Sequence, residues 1–337
     1  MSHLLLGPWI RRFLLEHLVT DRNLASNTQK SYRDALRLLL PFVAEKTHKR
    51  IDQLQVEDLT PESVRSFLKV LLESRRCCPA TCNQRLAAIH SLSNFIASRN
   101  PEYIQWCGEL RSIPQKKVAK PLIDYLEKDE IDALLAAPNR STHQGHRDYV
   151  VLLFLYNTGT RASELANVCI DDLDLAKSAS SSSSVRIHGK GSKVRRCPLW
   201  TSTVNELKQL IAGRGPSGHV FLNRRPQALT RYGIHTLVER HALAAAKVVP
   251  SIEKKRVSPH TIRHTTATHL LRSGVDINTI RAWLGHVSIT TTNIYAEVDL
   301  EMKAKALAAC EVGGTLTTTD ETPWRENADL MKFLRSL

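Results

Sequence analysis

Between residues 26 and 46 apolar side chains recur at Tyr32, Leu36, Leu39 and Val43, three or four residues apart. That spacing draws one buried stripe along an α-helix. It returns in "TPESVRSFLKVLLES", where Val64, Phe67, Leu68 and Leu71 share a face, Thr60 is placed to cap and Pro61 suits the first turn. "PATCNQRLAAIHSLSNFIASRN" begins at Pro79 and aligns Leu86, Ile89 and Ile96. With a further helix around Trp9 to Leu18, the pattern predicts a compact four-helix domain over residues 1–112.

The periodicity stops in "IPQKKVAKP", residues 113–121, which has a proline toward each end and three lysines, Lys116, Lys117 and Lys120. Such a composition marks an exposed linker. Its lysines suit a strand lying along a phosphate backbone, and a solvated connector has the same composition. Beyond it, "LEKDEIDALLAA" and "HRDYVVLLFLYNTGTRASELANV" read as helical, the second broken at Asn157 to Thr160. "VRIHG" and "KVRRCPL" are β-like runs joined by a Gly-flanked turn, which predicts a hairpin. The five serines at 180–184 read as a flexible loop, and from Thr203 the pattern is helical again to about Glu311. The expected fold is mainly α with a small β-sheet: an all-helical N-terminal domain, then a mixed α+β domain over 122–312 and a tail over 313–337.

Composition narrows the class. A chain of 337 residues exceeds what one core usually supports, so two domains are expected, and an apolar fraction of 42% suffices to pack both. Lys and Arg number 47 against 33 Asp and Glu, a net charge of +14 spread over both halves of the chain. The excess points to a polyanionic partner, of which nucleic acid is the commonest. No apolar run approaches the roughly eighteen residues needed to cross a bilayer. The opening "MSHLLLGPWIRRFLLEHL" lacks the basic-then-apolar order of a secretion signal, so a cytoplasmic, nucleoid-associated protein is expected. Seven cysteines is an odd number, and Cys77, Cys78 and Cys82 have no second Cys/His pair at zinc-finger spacing downstream. Reduced thiols and no metal site are the expectation.

Four segments then carry residues that packing does not need. Arg161 follows "NTGT" at a helix break; an isolated arginine there is usually solvated. Lys190 lies between two glycines at or near the hairpin tip, where backbone approaches a bulky ligand closely, although loop lysines usually face solvent. In "SPHTIRHTTATHLL", Ser258 is a cap and Pro259 a first-turn residue, so His260 sits in the opening turn with Arg263 on the same face. A helix N-terminus already favours an anion, and His and Arg added there make a phosphate cradle. His264 and His269 fall on other faces and read as structural. "GVDINTIRAWLGH" is a helix anchored by Val275, Ile277, Ile280 and Leu284 and closed by Gly285, with His286 just past its end. Ser288 is placed to cap a further helix that carries Tyr295 about two turns along.

Arg161, Lys190, "HTIRH", "LGH" and Tyr295, in this order and over this span, resemble the tyrosine site-specific recombinases, or phage integrase family. Residues 119–312 are similar to its catalytic domain, and the helical part resembles its SAM-like core-binding domain. The resemblance implies a covalent 3′-phosphotyrosine intermediate and strand exchange through a Holliday junction, with Arg161 and Arg263 on the scissile phosphate and His260 and His286 bonding its oxygens or shuttling protons. It implies Lys190 as the acid for the leaving 5′ oxygen, Tyr295 as nucleophile, no cofactor, and a tetramer on a specific duplex DNA site. Accessory recombinases or DNA-bending proteins are further candidate partners. Lys116, Lys117, Lys120, Lys193 and Arg195 are the expected further DNA contacts.

The chemistry explains the residue types. Only about one free tyrosine in a thousand is phenolate at pH 7, and the phosphodiester repels it. Two arginines address both difficulties by clamping non-bridging oxygens and stabilising the added charge. Because the phosphotyrosyl bond conserves energy, rejoining requires neither ATP nor a metal. The tail, with Trp324, Leu330, Met331, Phe333 and Leu334, suits a groove on a neighbouring protomer, or docks on its own domain. Service to a mobile element is the expected task, with integration, transposition and chromosome-dimer resolution all left open by the residues, at a short core site since no further domain precedes the helical one. Two rival readings are relaxation of supercoils by a type IB topoisomerase and DNA binding by a regulator that keeps the fold without catalysis.

Overall fold

A computed structural model describes residues 5–118, 124–175, 182–189 and 193–285. The chain divides into two compact units, Met1–Pro121 and Leu122–Leu337, each with its own apolar core. Among the described residues no helix is long and apolar enough to cross a membrane.

The first unit is helical throughout. Helix α1 (Leu6–Arg12) runs on directly as a π-helical stretch, Phe13–Asp21. A π-helix bonds i to i+5, which brings Phe13 and Leu18 toward one face, whereas an α-helix would point them apart. Both are fully buried, and the Phe13 ring meets Phe95 and Tyr32. Helices α2 (Ser26–Thr47), α3 (Pro61–Glu73) and α4 (Pro79–Ala97) bury the stripes read from the sequence. Thr60 caps α3 by accepting from the Ser63 N–H at 3.1 Å.

A fifth helix, α5 (Ile104–Arg111), was not expected. Its two buried residues, Cys107 and Leu110, are too few to show a period, and its docking depends on Trp106, whose indole N–H donates to the Leu59 carbonyl at 2.9 Å. The start of the expected linker also belongs to this unit. Ile113 is buried, and the Asn83 amide brackets Lys116, donating to its carbonyl at 2.8 Å and accepting from its N–H at 2.9 Å.

The second unit is built around α7 (His143–Thr158), which buries Val150, Val151, Leu152, Leu153, Phe154 and Leu155 in succession. A helix apolar on every side must be enclosed by neighbours. Among the described elements α6 (Lys128–Ala136), α9 (Thr201–Ile211), α10 (Arg231–Ala246) and α11 (Pro259–Arg272) do so, each contributing side chains to the same core. Each such burial contributes about 1.5–3 kcal/mol. After the short α8 (Ala162–Ala166), three antiparallel strands stand in the order β1 (Leu173–Asp174), β2 (Ser184–His188), β3 (Val194–Pro198). Along β2, Val185 and Ile187 face the core while Arg186 and His188 face out. The serine run is therefore not wholly a loop: Ser184 opens β2 and the Ser183 carbonyl accepts from Leu199 at 2.9 Å, while residues 180 and 181 lie outside the described residues.

The helical pattern from Thr203 onward is interrupted, against expectation, between Ala212 and Thr230. Gly213 turns left-handed (φ +71°), and the chain then lies beside the segment after α8, Val220 N–H donating to Val168 O and Ile170 N–H to Gly218 O, both at 2.9 Å. The chain leaves α11 through Gly274 into α12 (Ile277–Leu284), whose N-cap Asp276 accepts from Asn278 and Thr279 and whose C-cap Gly285 is left-handed.

Two features of this unit have measurable consequences. Asp148, 1% exposed, accepts from Arg147 and His241 at 2.5 and 3.0 Å and also from Arg240, tying α7 to α10. Burial pushes its carboxyl up, but the His241 hydrogen bond and the two guanidinium groups outweigh that and hold it below the ordinary value. A carboxyl depressed in the folded state contributes stability above its unfolded pKa of about 4 and loses it as pH falls through the lower folded value. Asp148→Asn should therefore cost roughly 3 kcal/mol at neutral pH. Urea unfolding should show that gap narrowing as pH falls from about 5 to about 3; a constant gap would exclude the charge as its origin. Gly159, which ends α7 with φ +59°, leaves only 2.6 Å between a built Cβ and Leu284 Cδ2. Gly159→Ala should destabilise by about 1–3 kcal/mol. Combined with Leu284→Ala it should cost less than the sum of the single changes, a coupling that strict additivity in the double-mutant cycle would refute.

Candidate active site

The break after α7 arises because Thr158 and Thr160 are buried and bonded to one another at 3.1 Å while Gly159 turns the chain. Arg161 then stands at the N-cap of α8, half-exposed. Glu164, at the third position of α8, completes a capping box by accepting the Arg161 N–H at 3.0 Å, and its other oxygen accepts Arg161 Nη1 at 2.6 Å. Burial alone would raise the Glu164 carboxyl, but bonds from Arg195 and Arg161 hold it low. It is thus an anion at neutral pH.

Arg263 reaches the same region from α11 and is 4% exposed. Its Nη1 donates to the Gly159 carbonyl at 2.6 Å and its Nη2 to the Leu284 carbonyl at 2.7 Å. These carbonyls close α7 and α12, whose C-terminal ends attract a cation. His260 lies at the exposed start of α11, after the Ser258 cap and Pro259. Protein packed around its ring lowers its pKa, and the charges of Arg263 and Arg161 lower it further. Arg161, Arg263 and His260 therefore act on one small region, with the imidazole neutral and able to pass a proton.

The other two histidines of α11 are held differently. His264 is half-buried and pushed down to about 4, by burial first and then by His260 and Arg263. His269 Nδ1 meets the Tyr156 hydroxyl at 2.8 Å, bridging α11 to α7. Neither lies as open to a ligand as His260.

Arg195, expected as a DNA contact, turns inward instead. Its Nη2 donates to Glu164 at 2.7 Å and its Nε to the Trp283 carbonyl at 2.8 Å. Lys193, Lys116 and Lys117 are exposed on their respective units. Lys120, Lys190, His286, Tyr295 and the tail lie outside the described residues. Gly189, which precedes Lys190 in sequence, donates to Lys193 O at 2.7 Å, and both Gly189 and Gly285, which precedes His286, abut Arg195. Sequence reading missed Glu164. Its signal was the spacing of a capping-box acid three residues after Arg161, which carried no hint of a shared carboxylate.

The phage integrase family matches residues 124–302, and the phage integrase N-terminal SAM-like domain matches residues 9–100. An integrase/recombinase of Sinorhizobium fredii, y4rC, is 36% identical over all of this chain and 99% of its own. The tyrosine recombinase XerC of Pelobacter propionicus is 33% identical, over 87% of this chain and 91% of its own. Among solved structures, the XerH recombinase bound to its palindromic difH substrate superposes with a TM-score of 0.65 at 20% identity, covering 85% of this chain and 81% of that one. The Tn1549 transposon integrase bound to a circular-intermediate DNA gives 0.66 at 16%, covering 89% and 98%. With both units matched and whole-length identity of this order, the chain belongs to the phage integrase family and is a site-specific tyrosine recombinase, an enzyme that cleaves and rejoins DNA.

Proposed function

We propose that Arg161 and Arg263 grip the scissile phosphate of a duplex core site while Tyr295 attacks it. The observation that carries this reading is the convergence of Arg161, Arg263 and His260 where α7 and α12 end and α11 begins, beside the anionic Glu164. Tyr295 Oη forms a bond to phosphorus, the bond to the 5′ oxygen breaks, and Lys190 gives that oxygen its proton. The result is a 3′-phosphotyrosine and a free 5′-hydroxyl. A 5′-hydroxyl from the partner duplex then attacks the phosphotyrosine, expelling the phenol and joining the exchanged strands. His260 and His286 bond the non-bridging oxygens or carry the phenolic proton. Positioned general-acid catalysis of the leaving step is worth about a hundred- to ten-thousandfold.

In this reading four protomers act on two sites in the cytoplasm, at nucleoid DNA, and exchange strands through a Holliday junction. Lys116, Lys117, Lys120 and Lys193 meet backbone phosphates. Residues 313–337 dock on a neighbouring protomer, and the task is integration or transposition of a mobile element. The whole-length similarity to a protein named as an integrase/recombinase supports that task.

On a nicked suicide substrate, Tyr295→Phe should bind DNA within about threefold of the parent and trap no covalent adduct, since it removes only the nucleophile. His286→Ala should slow cleavage less than Arg161→Ala or Arg263→Ala, each expected to cost about a hundred- to thousandfold. An adduct formed by the phenylalanine variant would eliminate Tyr295 as nucleophile. Deleting residues 320–337 should weaken cooperative assembly in gel shifts more than binding by one protomer; equal loss of both would count against docking in trans.

A further inference from the structure

We propose that Arg195 is a positioning residue that anchors the turn end of the β2–β3 hairpin to Glu164 and to the C-terminal end of α12. The inference rests on the role given above to Lys190, which follows Gly189 in sequence.

Three strand arginines show how selective the placement is. Arg186 and Arg196 keep 46% and 68% of their side chains exposed, whereas Arg195 keeps 11%. Arg195 pairs with Ile187 across the hairpin, one rung from the last pair, His188 with Val194. Its guanidinium bridges two elements, donating to Glu164 on α8 and to the Trp283 carbonyl on α12. Its stem fills the space over Gly285, where a Cβ would come within 3.1 Å of Arg195 Cδ and Nη1. Nη1 also lies 3.7 Å from where a Cβ on Gly189 would sit, so both glycines let backbone close on one planar group.

The remaining contacts indicate which side moves if Arg195 is lost. The end of α12 has its own hold, through Arg263 on the Leu284 carbonyl and through fully buried Leu284. The root of β3 has one too, since Cys197, two residues on, places its Sγ 3.5 Å from the same Trp283 carbonyl. The turn end of β3 is tied to β2 by the His188–Val194 pair and by the Gly189 N–H on the Lys193 carbonyl, and Arg195 is what ties that end to α8 and α12. Proton transfer requires heavy atoms about 2.6–3.2 Å apart, and a misplacement of about 1 Å costs on the order of a hundredfold. Arg195 touches no reacting atom in this account; it acts through the hairpin on the lysine that protonates the 5′ oxygen.

The test uses the full-length protein and suicide substrates that differ only in the bridging 5′ atom. A 5′-bridging sulfur leaves as a thiolate and needs no proton, so it bypasses the general acid. Arg195→Met should cleave the oxygen substrate about ten- to a hundredfold more slowly than the parent. On the sulfur substrate it should cleave within about threefold of the parent, with DNA affinity close to parental and a Tm lowered by the loss of one of the two arginine partners of Glu164. An equal loss on both substrates, or none on oxygen, overturns the inference. Arg195→Gln, which still reaches one acceptor, takes its place in the same comparison if the methionine variant does not fold. Lys190→Ala is run in parallel. If sulfur fails to rescue it, the assignment of Lys190 fails; if sulfur rescues it but not the Arg195 variants, the anchoring role alone fails.

Discussion

The site depends on gathering several guanidinium groups in one small region. Two like charges about 4 Å apart repel by about 4 kcal/mol at the effective dielectric of a protein surface, and more in its interior. Arg161, Arg195 and Arg263 coexist because each is given acceptors: the Glu164 carboxylate for the first two, the Gly159 and Leu284 carbonyls for the third. One anion among three cations leaves a surplus of positive charge. The carboxylate therefore sets how close the cations stand without cancelling them.

Backbone geometry makes this arrangement available. The left-handed turns at Gly159 and Gly285 end α7 and α12 so that their last carbonyls face Arg263, and the two ends touch where Leu284 packs over Gly159. Helix ends leave carbonyls without internal partners, and here a buried arginine takes the place water would hold. Local chain chemistry thus supplies both the turn and the electrostatic partner for a residue remote in sequence.

The three histidines of α11 show how the surroundings divide one residue type. His260, in the first turn, stays exposed beside two cations that favour its neutral form. His264, a turn later, is driven down to about 4 by burial and by those same neighbours. His269, farther along, is held by the Tyr156 hydroxyl and joins two core helices. Distance along one helix from the helix mouth separates an exposed histidine from two that are packed.

The sequence by itself determined the helices and their caps, because spacing of apolar residues and residues such as Thr60, Ser258 and Gly285 act within a few positions of chain. It also showed the order of Arg161, His260 and Arg263, since their types answer to phosphate chemistry. It did not reveal α5, too short to display a period, or the break after Ala212, where glycines and pairing to the segment after α8 outweigh the helical pattern. Only the tertiary structure decided the fate of Arg195 and Glu164. Whether a charged side chain meets water, DNA or another buried charge depends on which acceptors lie within a hydrogen bond, and here those acceptors come from 31 and 88 residues away along the chain.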